Sequence, residues 1–256
     1  MNAALVGGCA MAGLAAGLLL DELAARIPPA QPRAKVAEAS SFAAANGLHV
    51  TPPPAPEAAS PPVRAPGPPG AAERVAAGVV TALFLGLAAA RLGAEPALAA
   101  YCVLFCGLVA VSVADLRVGL VPRVLLYPTF VLMAGALVAA SAVEGRWTDL
   151  AHAAISGGGA FVVFFLLWWF YPRGIGFGDV RLAGVIATGL GWISFGALYV
   201  GFASGFLFGV VVGLVLMVRE GTGRKTRLAF GPPLALGAVV GVLWGPWVTH
   251  FWTAHP

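Results

Sequence analysis

Long apolar runs separated by short polar stretches dominate this chain. Runs at 3–20, 75–92, 97–114, 124–143, 152–171, 180–193, 195–218 and 230–250 predict eight membrane-crossing segments. Hydrocarbon offers no partner to a backbone N–H or C=O group, so each crossing segment is expected to be a helix. The run 180–193 is short for a span that needs about 20 residues. The break between the sixth and seventh runs, around Gly191 to Phe195, is the least sharply marked. The predicted fold class is all-α: a polytopic transmembrane helical bundle of about eight spans.

One interruption differs from the rest. Residues 28–69 hold 12 of the chain's 20 prolines, mixed with Ala, Ser and Gly. Such a segment has little to bury and is expected to be disordered or polyproline-like. The chain therefore divides into a first membrane anchor (1–27), a Pro/Ala-rich loop (28–72) and a membrane-embedded domain (73–256). The apolar run Met1–Leu20 precedes the first basic residue, Arg26. A secretory signal peptide has its basic region first, so an uncleaved anchor with the N-terminus outside is expected.

Composition agrees with the pattern. Hydrophobic types make up 59% of the 256 residues and charged types 10%, with a mean hydropathy of +0.89. A soluble domain carries about 25% charged residues, so lipid must be the main solvent. The net charge of +4 is scattered among short loops and does not form a nucleic-acid-binding run. It reports topology instead. If the N-terminus is outside, 13 of the 15 Lys and Arg residues fall on the cytoplasmic side, leaving only Arg91 and Arg146 opposite. Trp168, Trp169 and Tyr171 precede one cytoplasmic loop, as an interfacial aromatic belt would.

Few residues can carry chemistry. Cys9, Cys102 and Cys106 form no C-x-x-C pair and read as small packing residues. The four histidines are scattered with no H-E-x-x-H, and no G-x-S-x-G occurs, so neither a zinc hydrolase nor an elbow-type serine hydrolase is indicated. No metal or cofactor is expected. Ser156 with Gly157–Gly159, and Gly205, Gly209 and Gly213 at four-residue spacing, read as close helix packing.

Of the 11 acidic residues, most lie in loops or at outer span ends. Asp115 closes the third run and Asp179 opens the sixth, so both fall at the same predicted membrane face. An ionisable residue there is a functional candidate. Two neighbouring carboxyls cannot both ionise cheaply and share a proton. The ionised one draws a proton from water while the protonated one polarises a carbonyl. Gly176 and Gly178, just before Asp179, are expected to let the backbone turn sharply and approach a substrate strand. The plainer reading is a glycine-rich interhelical turn with an N-capping Asp. Two alternatives from other classes are a proton-coupled transporter and a non-catalytic component of a secretion assembly.

Gly176-Phe177-Gly178-Asp179 followed by Arg181-Leu182 resembles the G-x-G-D-x-K-L signature of the type IV prepilin peptidase family. Asp115, followed seven residues later by Pro122, resembles that family's first aspartate motif. Phe230-Gly231-Pro232-Pro233-Leu234-Ala235-Leu236-Gly237 is similar to its F-G-P-x-L-A-L-G segment. The resemblance implies a membrane aspartic endopeptidase of the inner (plasma) membrane. It would cleave the basic leaders of prepilins, or of pseudopilins of type II secretion, at the cytoplasmic face, in company with pilus or secretion assembly proteins. It makes Asp115 and Asp179 the catalytic pair and assigns Gly176, Gly178, Arg181 and Pro122 to the active-site loops and substrate binding. Two departures stand out. The cysteine-bearing zinc domain of many members is replaced here by the cysteine-free Pro-rich loop, so neither zinc binding nor N-methyltransferase activity is expected. Arg181 stands where Lys is usual.

Overall fold

The computed structural model describes residues 3–25, 70–118, 121–171, 176–220 and 230–253. The Pro-rich loop, Arg173, Gly174 and the basic loop with Arg224, Lys225 and Arg227 lie outside these residues.

The described residues form eight helices and no strand. They are α1 (Ala3–Ala25), α2 (Ala71–Leu92), α3 (Leu98–Val118), α4 (Arg123–Glu144), α5 (Trp147–Phe170), α6 (Phe177–Ile193), α7 (Phe195–Glu220) and α8 (Gly231–Thr253). Each expected run forms one helix. Five of them (α2, α3, α4, α5 and α7) are long and apolar enough to cross a membrane. The weakly marked boundary between the sixth and seventh runs falls at Ser194. Its extended backbone (φ −176°, ψ 160°) ends α6, and its hydroxyl accepts the Ala197 N–H at 3.0 Å to start α7.

Three helix pairs make the closest associations: α1 with α2, α5 with α6 and α7 with α8. Lipid removes the hydrophobic incentive to associate, so close packing must come from backbones that can approach. Glycine ladders provide that approach. A Cβ at Gly241 would meet the Ala197 carbonyl at 2.6 Å and the Gly201 Cα at 2.9 Å, and one at Gly237 would meet Gly205 at 2.6 Å. Gly201, Gly205 and Gly209 thus face Gly237, Gly241, Leu234 and Phe230. Gly13 against Ala82 and Gly17 against Gly78 do the same for α1 and α2. The packing expected at Gly205 and Gly209 is therefore present. In the Ser156–Gly159 cluster, Ser156 meets Gly191 and Gly157 meets Thr188, but Gly158 and Gly159 face open space.

α3 is the hub. It contacts α1, α2, α4, α6 and α8, and 67% of its apolar stretch is buried, against 17% for α7. The Tyr101 hydroxyl donates to the Gly189 carbonyl at 2.7 Å, tying α3 to α6 inside the bundle. At the far end Arg146 gathers three loops. Its Nε donates to Asp149 at 2.6 Å, its Nη1 lies near Glu144 and Glu95, and its guanidinium caps the Trp192 ring at 4.0 Å. The ends of α3, α6 and α8 that carry the candidate chemistry lie at the opposite end of the bundle.

Candidate active site

Asp115 lies in the last turn of α3 and is 5% exposed. Its Oδ2 accepts the Gly231 N–H at 2.9 Å, which joins the end of α3 to the start of α8. Two residues on, the Arg117 Nε donates to Glu73 Oε1 at 2.7 Å and fastens the same end of α3 to the first turn of α2. Asp115 is thus held in place by two flanking helices.

Asp179 occupies the third position of α6, with Gly176 as the N-cap. Its Oδ2 accepts the Gly176 N–H at 3.2 Å. The plainer sequence reading therefore holds in part, since Asp179 does help to cap a helix, though from inside the first turn. Capping does not account for its electrostatics. Asp179 lies ahead of the apolar run 180–193 and outside the five spans. Burial, and after it the neighbouring charge of Asp115, push its carboxyl up to about 6, opposed by the Gly176 N–H. The charge of Asp115, far away in sequence, is thus felt at Asp179 across the α3–α6 interface.

The glycines serve this meeting in a way the sequence did not suggest. Neither Gly176 nor Gly178 has a positive φ; among described residues only Gly93 and Gly145 do. A positive φ is therefore not what these positions use; the room left by a missing side chain is. A Cβ at Gly178 would lie 2.7 Å from the Val121 Cβ, and one at Gly176 would lie 3.2 Å from Asp179 Oδ2. The segment after Asp115 can rest on the turn before Asp179 only because Gly178 has no side chain.

The remaining predicted residues are placed nearby. Pro122 is the N-cap of α4, its carbonyl accepting the N–H groups of Leu125 and Leu126 at 3.2 and 3.1 Å. Its position turns the chain from the Asp115 segment into α4. Arg181 points away from Asp179, as residues two apart on a helix must. Its guanidinium lies 4.3 Å from the centre of the Phe177 ring and 5.9 Å from that of Tyr127. There it heads an apolar crevice of about 450 Å³ between α4, α5 and α6, floored by Gly157, Gly158, Gly184 and Thr188. The sequence pattern gave no sign of this crevice, of the Glu73–Arg117 pair or of the contact between Gly231 and Asp115. The first two arise from tertiary packing alone, whereas the Phe230–Gly237 motif did mark Gly231 as unusual. Among the described residues no group of three His, Cys, Asp or Glu side chains is placed to hold a metal ion.

A bundle of apolar helices with two acids at one end is the architecture of a multi-pass membrane protein. Residues 102–218 match the profile of the type IV leader peptidase family. This segment holds both aspartates, and the match supports placing the chain in that family. It is a membrane peptidase of the leader-peptidase kind. No curated protein and no solved structure matches the chain.

Proposed function

We propose that this protein is an aspartic endopeptidase that removes the leader peptide of type IV prepilins or pseudopilins at the cytoplasmic face of the inner membrane. In this reading the eight apolar runs are eight spans, with Asp179 just ahead of the sixth and the N-terminus outside, and the Lys/Arg asymmetry supports that orientation. The observation that carries the proposal is geometric: the segment that follows Asp115 rests through Val121 on Gly178, the residue before Asp179, so both acids fall at one end of the bundle.

The chemistry follows from a dyad holding one proton between its members. The ionised carboxylate takes a proton from water as the oxygen attacks the scissile carbonyl carbon. The protonated carboxyl gives its hydrogen to the carbonyl oxygen. The tetrahedral diol then collapses: its C–N bond breaks, the amine leaves with the proton that the first carboxyl took from water, and a diol hydroxyl returns its proton to the other carboxylate as the C=O re-forms. Water is consumed, and the dyad ends with the proton count it began with. Burial of Asp115 removes competing solvent and strengthens each of these interactions. The crevice headed by Arg181 supports a membrane-tethered substrate. It begins on the helix that carries Asp179 and offers an apolar path into the bilayer beside the cleavage point. Methyl transfer to the new N-terminus is not part of the proposed activity.

The test is co-expression with candidate prepilins, following leader loss by gel shift and N-terminal sequencing. Cleavage by the parent and none by normally inserted Asp115→Asn or Asp179→Asn protein is the expected result. Cleavage that survives either substitution refutes the pair. The position of both acids at one end, away from the midplane where transporter sites lie, separates this reading from a proton relay. Proton flux into liposomes by a parent that cleaves nothing would favour the relay.

A further inference from the structure

The Phe230–Gly237 segment is distinctive in the sequence, and the proposed dyad alone gives it no role. At the start of an α-helix the first four N–H groups have no partner within the helix. Here Leu234 is the first to make such a bond, to the Phe230 carbonyl at 3.2 Å. The four preceding positions are Phe230, Gly231, Pro232 and Pro233. Proline has no N–H, so within the helix proper Gly231 is the sole donor of the first turn. That N–H goes to Asp115 Oδ2, in a buried bond of 2.9 Å. The same position has no room for a side chain. A Cβ on Gly231 would lie 2.9 Å from Asp115 Oδ2 and 3.3 Å from the Asp115 Cβ. Two separate sequence features, a missing side chain and two missing donors, therefore converge on one oxygen.

We propose that Gly231 is a positioning residue for the reaction: its N–H anchors one oxygen of Asp115 and leaves the other to face water and the scissile carbonyl. The inference rests on the dyad reading, since it assigns Asp115 a task in catalysis. Pro232 and Pro233 serve the same end. A full set of first-turn donors would gather around the carboxylate, hold it ionised and blunt its exchange of protons. One donor fixes its orientation while leaving it able to gain and lose a proton.

Two measurements test this. In the full chain in nanodiscs with ¹⁵N-glycine, the Gly231 amide (identified by its loss in Gly231→Ala) is followed against pH. It should titrate together with the Asp115 carboxyl carbon, and the response should vanish in Asp115→Ala. A Gly231 amide indifferent to pH, or unchanged in Asp115→Ala, overturns the proposal. This readout needs no peptidase activity, so it remains decisive even if the dyad reading fails. In the second measurement, Gly231→Ala keeps the N–H but its methyl pushes it off Asp115, which should lower kcat by about tenfold or more, the worth of a hydrogen bond to a charged group. KM should stay unchanged and the acid limb of the pH–rate profile should move. Pro232→Ala, which restores a donor, should shift that limb in the direction of a more readily ionised dyad. Equal losses in kcat and folded fraction, with an unmoved profile, would leave Gly231 a packing residue only.

Discussion

Val121 rests directly on Gly178: a Cβ at position 178 would come within 2.7 Å of the Val121 Cβ. This contact presses the segment that follows Asp115 onto the turn that precedes Asp179. Gly178→Ala should therefore force the two segments apart, at a cost of about 1–3 kcal/mol typical of overpacking, and most cleavage should be lost. Adding Val121→Gly removes the atom that clashes and should restore part of the activity. Equal activity in the single and double variants would show that the contact does not govern the dyad.

The charge of Asp115 is one of the two causes that raise Asp179 to about 6. The sign of its removal follows. A nearby negative charge disfavours ionisation, so Asp115→Asn should lower the Asp179 titration midpoint. It should not return to the ordinary carboxylate value, because burial, the larger cause, remains. Carboxyl-band infrared spectroscopy or ¹³C-aspartate NMR against pH would report it. An unchanged or higher midpoint would mean that the two groups are not electrostatic neighbours.

Gly158 lines the crevice, and a Cβ there would meet nothing within 4 Å. Gly158→Leu should leave thermal stability close to that of the parent while filling the apolar path. KM for a substrate with an apolar segment beside the cut should rise by about tenfold, with kcat little changed, as expected when uniform binding is removed. Unaltered KM would separate the crevice from substrate binding.

Arg181 is stacked on Phe177 at 4.3 Å. The Lys usual at this position in the resembled family keeps the charge but not the flat guanidinium face. Arg181→Lys should cost roughly 0.5–1 kcal/mol of stability, measurable by thermal unfolding in detergent, and Phe177→Leu should make that substitution silent. No loss from Arg181→Lys in the parent background would mean that the ring contact contributes nothing.

The α7–α8 glycine ladder makes a stability prediction of its own. Gly241→Ala drives a methyl against the Ala197 carbonyl and the Gly201 backbone. Backbone cannot yield as a side-chain tip does, so the expected loss is about 1–3 kcal/mol, measured by denaturant unfolding in mixed micelles. The fraction that remains folded should cleave at the parent rate, because the site's own contacts are untouched.

The amino-acid sequence by itself determines the helices and singles out the two acids. All eight helices fall within a few residues of their apolar runs, because a lipid solvent leaves an isolated segment no choice but to satisfy its backbone internally. Asp115 and Asp179 stand out because a carboxylate at a membrane boundary is costly and few others occupy such places. Tertiary structure alone decides how these parts meet. Gly176 and Gly178 have backbone angles that need no glycine; they are glycine because neighbouring groups sit on them. Gly231 reaches Asp115 across 116 residues of chain, and Glu73 finds Arg117 on another helix. Periodicity and composition describe what each residue asks of its solvent. Close contact between distant backbones depends on shapes that exist only once the helices have packed.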